Sequence, residues 1–302
     1  MSDTHEVHTP NDGALASIAE RKGRNEAVRD ARIGDGNTPI IELKDVTVSF
    51  KTRTGSILKP THIHAVRGVS MTVNAGETIG IVGESGCGKS TTANVMCGLQ
   101  RPTSGHVYFK GSEVTHRTAK DRRQIGRVVS VVFQDPSTAL NARMIVRDQL
   151  ADPMKVHNIA TPAEREARVD ELITMVGLPH SALDALPGQL SGGQRQRVAI
   201  ARALALNPDA IIADEPTSAL DVSVRAQILN LLTDLKNELG LAMVFISHDI
   251  QTVRYVSDRI AVMHGGLVAE EGPTAEILQN PQDPYTKKLL GAAPSLLHPA
   301  LA

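Results

Sequence analysis

The sequence is poor in aromatic residues and in cysteine. Its 302 residues include no tryptophan, three tyrosines, four phenylalanines and two cysteines. Two cysteines cannot build a disulfide framework, so a reducing compartment is expected. The formal net charge is −1, and neither an acidic nor a basic excess indicates a nucleic-acid partner.

Long apolar segments are also missing. No apolar run approaches the roughly 20 residues that cross a bilayer, and the first residues lack the apolar core of a signal peptide. We therefore expect any attachment to a membrane to come from partner proteins. The hydrophobic content of 41% suits one large domain or two lobes with a proper core.

A glycine-rich segment follows the apolar residues 78–82 and precedes a helical pattern from Lys89 to about Leu99. It consists of Gly83, Glu84, Ser85, Gly86, Cys87, Gly88, Lys89 and Ser90, with Thr91 next. Strand, glycine-rich turn and helix form the context that a phosphate-binding loop requires. Lys89 can reach the β- and γ-phosphates of a nucleotide, and the Ser90 hydroxyl is placed to ligate magnesium.

An acidic pair ends the apolar run 210–213. A buried parallel strand would deliver Asp214 and Glu215 to its carboxyl edge. There Asp214 can hold magnesium, and Glu215 can orient or deprotonate the attacking water. Such a pair is also common as a simple helix cap, so its chemical interpretation depends on the phosphate loop.

Two further polar residues end apolar runs in the same way. Gln134 follows residues 128–133, and His248 follows residues 242–247. Parallel strands of one sheet would bring both to the nucleotide edge. A single histidine at a strand end is more often a structural hydrogen-bonding group, so the complete set carries the prediction.

With these residues and a second glycine motif, 190–194, the chain resembles the ATP-binding cassette (ABC) ATPases over about residues 39–290. The resemblance implies an α/β P-loop NTPase fold with a RecA-like core, an antiparallel β lobe and an inserted α-helical signature lobe. The sequence pattern predicts a first strand over residues 41–49 that Phe50 closes. The resemblance assigns ATP contacts to Phe50, Gly83, Glu84, Ser85, Gly86, Cys87, Gly88, Lys89, Ser90, Thr91, Ser191, Gly192, Gly193, Gln194 and Asp221. It implies that Ser90, Gln134 and Asp214 are ligands of Mg²⁺ and that Glu215, His248 and Gln134 are catalytic residues.

The second glycine motif also has a physical interpretation. Ser191, Gly192 and Gly193 open a helix that runs through Arg202, so free amides and a hydroxyl are available to a γ-phosphate. In the family, this signature closes over the nucleotide that the other subunit holds. A head-to-tail dimer with two ATP sites at its interface is therefore implied.

Residues 133–143 and 280–290 resemble the oligopeptide and dipeptide importers, although Ala142 and Leu186 depart from the usual pattern. Cys87 and residues 218–224 resemble the second of two different ATPase subunits. The implied partners are a homologous ABC ATPase, two transmembrane permease subunits and an extracytoplasmic substrate-binding protein. The implied place is the cytoplasmic face of the cell membrane, and the cargo is peptide, nickel, glutathione or oligosaccharide.

The sequence disfavours three alternatives to an importer. A DNA-repair or ribosome-associated cassette usually has tandem cassettes, coiled coils or zinc insertions, which this sequence lacks. An exporter is disfavoured by the importer-like tail, and a non-hydrolysing module by the filled catalytic positions. No cysteine follows Cys97, so we expect no iron–sulfur cluster of the kind some relatives carry near the C-terminus.

The expected organisation has three parts. Residues 1–38 form a polar tail, either disordered or a helix that contacts a partner or membrane. Residues 39–272 form the ATPase domain, with the helical lobe at about 137–194, and residues 273–302 form an appendage. Within the lobe, Thr161 and Glu164 predict a capping box with Pro162 at the first helical position.

Overall fold

The computed structural model describes residues 38–52, 61–114 and 118–292. The two hypotheses for the amino-terminal tail, disorder or a contacting helix, therefore concern residues that, except for Thr38, are outside the described ranges. The strands are β1 (Ile41–Thr52), β2 (Thr61–Val73), β3 (Thr78–Val82), β4 (Ser104–Phe109), β5 (Ser112–Glu113), β6 (Val129–Val132), β7 (Ala210–Asp214), β8 (Ala242–Ile246), β9 (Arg259–His264) and β10 (Leu267–Pro273). The α-helices are α1 (Lys89–Met96), α2 (Ala119–Val128), α3 (Pro136–Ala139), α4 (Val146–Val156), α5 (Pro162–Met175), α6 (Gly192–Ala203), α7 (Val222–Leu239), α8 (Ile250–Val256), α9 (Thr274–Gln279) and α10 (Pro284–Ala292).

A six-stranded sheet forms the centre of the molecule, in the order β10-β9-β3-β8-β7-β6. Its strands run parallel except for β10, which pairs antiparallel with β9. Every residue of β3 and of β8 is buried, which explains why these strands are continuous apolar runs without alternation. The carboxyl ends of β3, β6, β7 and β8 meet at one edge, as the sequence predicts.

A second, antiparallel sheet has the order β2-β1-β4-β5. Its apolar face packs with α1 and the central sheet around a core that includes Phe109, Met96 and Ile79. Strand β1 extends to Thr52, whereas the sequence pattern predicted a strand over residues 41–49 that Phe50 closes. Pairing with β2 explains the extension, because Lys51 and Thr52 still face His62 and Thr61 across the ladder.

Helices fill the chain between β6 and α6, where the helical lobe was expected. Helices α4, α5 and α6 bury a shared core, which includes Leu150, Leu172 and Val198. Two short 3₁₀ helices, His180–Asp184 and Pro187–Gln189, lead into α6. The predicted capping box at the start of α5 is confirmed, since the Thr161 hydroxyl accepts from the Glu164 amide and the Glu164 carboxylate accepts from the Thr161 amide.

The last described helices pack against the ATPase core. Ile277 of α9 is 3% exposed, and Tyr285, Leu289 and Leu290 of α10 contact the same core. The described part of this segment, residues 274–292, therefore packs against the ATPase core. Within the described ranges, no helix combines the length and the apolar character that a bilayer span needs.

Candidate nucleotide site

The loop between β3 and α1 needs glycine at three positions. Gly83, Gly86 and Gly88 have φ values of 152°, 80° and 109°, in the region that disfavours side chains. A Cβ on Gly83 would lie 2.2 Å from the Met263 carbonyl oxygen, and one on Gly88 would lie 2.4 Å from the Ala65 carbonyl oxygen. Backbone packing therefore excludes larger residues at the two ends of the loop, while Gly86 needs glycine for its conformation alone.

Lys89 lies inside this loop and is 7% exposed. Its ammonium donates to the carbonyl oxygens of Gly83, at 2.7 Å, and Glu84, at 3.0 Å. Helix α1 begins at Lys89 without a side-chain cap, so its first amides remain available to an anion. A buried cation beside uncapped helical amides suits a phosphate group.

Ser90 and Asp214 offer oxygen atoms beside the loop. The Ser90 hydroxyl donates to Asp214 Oδ1 at 3.4 Å, although 124 residues separate the two. Burial raises the pKa of Asp214, and the Ser90 hydrogen bond partly opposes that shift. A hydroxyl and a partly buried carboxylate match the oxygen ligands that Mg²⁺ prefers, so the donor set fits this ion.

Glu215 is the centre of a second polar cluster. Its carboxylate accepts from Gln134 Nε2 at 3.4 Å and lies 3.1 Å from His248 Nδ1. Its backbone has a φ of 46°, which a residue with a side chain rarely adopts, and its amide donates to the Ile246 carbonyl at 2.9 Å. A strained backbone of this kind persists where the surroundings require it and is common at functional sites.

One cleft of about 440 Å³ joins the loop to this cluster. Its walls are Ala65, Ser85, Gly86, Gly88, Lys89, Ser90, Thr91, Gln134, Glu215 and His248. All but Ala65 were predicted from the sequence as site residues. Gly83, Glu84 and Cys87 were also predicted, and they belong to the loop without lining the cleft. The Cys87 amide donates to the Glu84 carbonyl within the loop, and the Cys87 thiol is buried.

The predicted signature residues lie away from that cleft. Ser191 caps α6 through the Gln194 amide, and the Gln194 side chain accepts from the Ser191 amide in return. A Cβ on Gly193 would lie 2.6 Å from Val224 Cγ1. Asp221 caps α7 by accepting from the Val224 amide, which lowers the pKa of its carboxyl. The signature thus packs beside the start of α7, and neither the signature residues nor Asp221 line this chain's own cleft.

Phe50, the predicted adenine contact, is not among the residues that line the cleft. It lies on β1 opposite Ile63, and its side chain is 41% exposed. Residues 53–60, which follow the end of β1, are outside the described part of the chain.

Two contacts of the site were not predictable from the sequence. Ala65, on β2, lines the cleft and sets the space beside Gly88. The hydroxyl of Tyr285, on α10, accepts from the backbone amide of Glu84 at 3.1 Å. A lone alanine gives no sequence signal, and Tyr285 lies 201 residues from its partner.

The geometry defines a class of protein. A glycine loop around a buried lysine, an oxygen pair suited to Mg²⁺ and a carboxylate held by two polar side chains form the site of a P-loop nucleoside-triphosphate hydrolase. The described residues contain no group of three or more histidine, cysteine or acidic side chains that could hold a metal by themselves. In this class the nucleotide's own phosphates complete the coordination of the metal.

Comparison with known proteins gives the family. A family model described as ABC transporter matches residues 66–218, and the chain belongs to this family. The oligopeptide transport ATP-binding protein AppF of Bacillus subtilis (strain 168) is 46% identical over 257 residues, 84% of this chain and 78% of that protein. The dipeptide transport ATP-binding protein DppF of Haemophilus influenzae is 42% identical over 260 residues, 86% of this chain and 80% of that protein.

A solved structure extends the comparison to three dimensions. The ATP-binding cassette MJ0796, a dimer in a post-hydrolysis state bound to ADP and Pi, superposes with a TM-score of 0.69 and 33% identity. The superposition covers 78% of this chain and 98% of that one. The predicted fold class and the resemblance to ABC ATPases are confirmed, and the chain is an ATPase of this family.

Proposed function

We propose that this ATPase is a subunit of a membrane importer for di- or oligopeptides and that it works at the cytoplasmic face of the cell membrane. The observation that carries the proposal is the cleft, where the phosphate loop and the Glu215 cluster meet, in a chain similar over most of its length to peptide transport ATP-binding proteins. The related cargoes nickel, glutathione and oligosaccharide are outcomes of the test below.

The cleft residues have distinct roles in this proposal. Lys89 and the first amides of α1 bind the phosphates, and Ser90 and Asp214 are the protein ligands of Mg²⁺, with Gln134 beside them. Mg²⁺, when bound, neutralises charge on the phosphate oxygens during transfer. Glu215 orients the attacking water and accepts its proton, because its carboxylate faces the cleft next to Gln134 and His248.

A second ABC ATPase, a homologue of this chain, completes the site. Ser191, Gly192, Gly193, Gln194 and Asp221 lie on a surface away from this chain's own cleft, so they are available to a nucleotide on the partner. Next to them Val222, an apolar side chain, is 81% exposed. A contact between subunits at the signature would remove this apolar side chain from water.

Two permease subunits are proposed to dock where the sheet meets the helical lobe, on residues 135–150. A groove of about 150 Å³ lies beside this segment, and its lining includes Phe133, Ala139 and Pro153. Phe133 is 40% exposed and directly precedes Gln134. A helix seated in this groove would therefore sense whether Gln134 is engaged at the nucleotide, which links ATP to movement of the membrane pair.

Uptake measurements test the proposal. In cells that lack this chain, we expect uptake of labelled di- and tripeptides to fall and to return with the wild-type chain but not with Glu215→Gln. Normal peptide uptake with lost uptake of nickel, glutathione or oligosaccharide would reassign the cargo. Gentle solubilisation with a tagged chain should recover a second ATPase, two permeases and a substrate-binding protein in stoichiometric amounts, whereas ribosomes or DNA-repair factors would refute the importer.

A further inference from the structure

The carboxyl-terminal helix α10 reaches the phosphate loop through one side chain. The Tyr285 hydroxyl accepts a hydrogen bond from the Glu84 amide at 3.1 Å. The Glu84 nitrogen and the Gly83 carbonyl belong to the same peptide group, and that carbonyl accepts from the Lys89 ammonium at 2.7 Å. Tyr285 and Lys89 therefore hold opposite ends of one peptide group.

Tyr285 is itself held in place by its surroundings. Its ring stacks on the ring of His264 at the end of β9, with centroids 3.9 Å apart and an interplanar angle of 11°. Its backbone amide donates to Asp283 Oδ1 at 2.8 Å. Glu270 of β10 in turn accepts from the amides of Gln282 and Asp283, at 2.7 and 3.1 Å. The phenol thus projects from a segment that is anchored to the central sheet.

We propose that Tyr285 is a positioning residue for phosphate binding, which acts by fixing the orientation of the Gly83–Glu84 peptide and through it the Lys89 ammonium. A peptide group inside a glycine loop can rotate at low cost, since glycine tolerates a wide range of backbone angles. The Tyr285 hydrogen bond opposes that rotation at the nitrogen end. The appendage after residue 273 thereby becomes part of the nucleotide site. This inference rests on the assignment of residues 83–90 as the phosphate loop.

Tyr285→Phe removes the acceptor and keeps the stacked ring. One hydrogen bond of this kind corresponds to roughly a 2- to 10-fold change in an equilibrium constant. We expect the full-length variant to bind MgADP that much more weakly in calorimetry. In ATP hydrolysis by the assembled complex, KM for MgATP should rise by a similar factor, while kcat stays within about twofold of wild type.

Tyr255→Phe is the matched control. Tyr255 also makes a hydroxyl hydrogen bond, donating to Asn230 Oδ1 at 2.7 Å, and is 64% exposed on α8. We expect this variant to bind MgADP as the wild type does. A general loss of stability would affect both variants, whereas the proposed role affects only Tyr285→Phe.

Hydrogen exchange at the Glu84 amide measures directly how well this hydrogen bond holds the loop. In chains labelled with ¹⁵N-glutamate, the Glu84 amide should exchange faster in Tyr285→Phe and at the wild-type rate in Tyr255→Phe. Unchanged MgADP affinity or unchanged Glu84 exchange in Tyr285→Phe would overturn the proposal. If Lys89→Ala bound MgADP as tightly as wild type, the phosphate-loop assignment would be wrong as well. If the wild-type chain bound MgADP and its complex transported no peptide, only the proposed cargo would be wrong.

Discussion

Gly193 gives a prediction whose size follows from the packing between α6 and α7. An added Cβ would lie 2.6 Å from Val224 Cγ1, which is too close for two carbon atoms. Val224 is β-branched and has little rotamer freedom in a helix, so it cannot move aside cheaply. Overpacking of this kind costs about 1–3 kcal/mol, and replacing glycine by alanine in a helix returns up to about 1 kcal/mol.

The net expectation for Gly193→Ala is a loss of about 1–2 kcal/mol in the free energy of unfolding. In a chain of this size, thermal unfolding followed by circular dichroism should show the midpoint lowered by about 2–4 °C. Gly192→Ala is the control, because its Cβ would lie 3.6 Å from Leu220 Cδ2, an ordinary contact. That variant should unfold at or slightly above the wild-type temperature.

A second substitution separates packing from phosphate binding at Gly193. Val224→Ala makes room for the new methyl group, so the double variant should recover at least about 1 kcal/mol relative to the sum of the single changes. If Gly193→Ala also slows ATP hydrolysis and the double variant restores it together with stability, Gly193 acts only through packing. If stability returns and hydrolysis does not, the signature backbone itself contacts nucleotide. Equal midpoints for Gly193→Ala and Gly192→Ala would refute the reasoning.

Three further substitutions test the cleft. Glu215→Gln removes the proton acceptor and should slow ATP hydrolysis by about 100-fold or more, measured as phosphate release with the partner's own catalytic site disabled; hydrolysis at the normal rate would make the assignment wrong. Lys89→Ala removes the buried cation that Gly83 and Glu84 hold, and should weaken MgADP binding in calorimetry at least 10-fold, whereas unchanged affinity would exclude the phosphate-loop role. Gly88→Ala places a Cβ 2.4 Å from the Ala65 carbonyl oxygen at a φ of 109°, so it should abolish MgADP binding and lower the unfolding midpoint. Gly291→Ala is the control, because nothing lies within 4 Å of its Cβ, and it should leave MgADP binding and the midpoint unchanged.

The glycine loop and the strand ends were predictable because their information is local. The spacing of glycines before Lys89 encodes a turn, and the apolar runs before Asp214 and His248 encode buried strands that end in polar groups. The rule that parallel strands align their carboxyl ends was then enough to predict their convergence. The cleft brings together nine of the predicted residues for this reason.

The longer β1 could not be read from the sequence pattern. Residues 51–52 are polar, and pairing with β2 rather than their own composition extends the strand. Phe50 illustrates the same limit, since the strand ladder, and not its own residue type, decides whether it lines the cleft. A family resemblance implies a role for such a residue but does not determine its position relative to the cleft.

By itself, the sequence determined the glycine loop, the acidic strand end and the family, because each depends on residues that are close together in the chain. Only the tertiary structure decided how distant residues meet: the φ of 46° at Glu215, the Ala65 carbonyl beside Gly88, and Tyr285 on the Gly83–Glu84 peptide. These contacts depend on the order of strands in the central sheet, on how the antiparallel sheet packs beside it and on the packing of α10. Sheet order is set by the burial of whole faces, which no short stretch of sequence encodes.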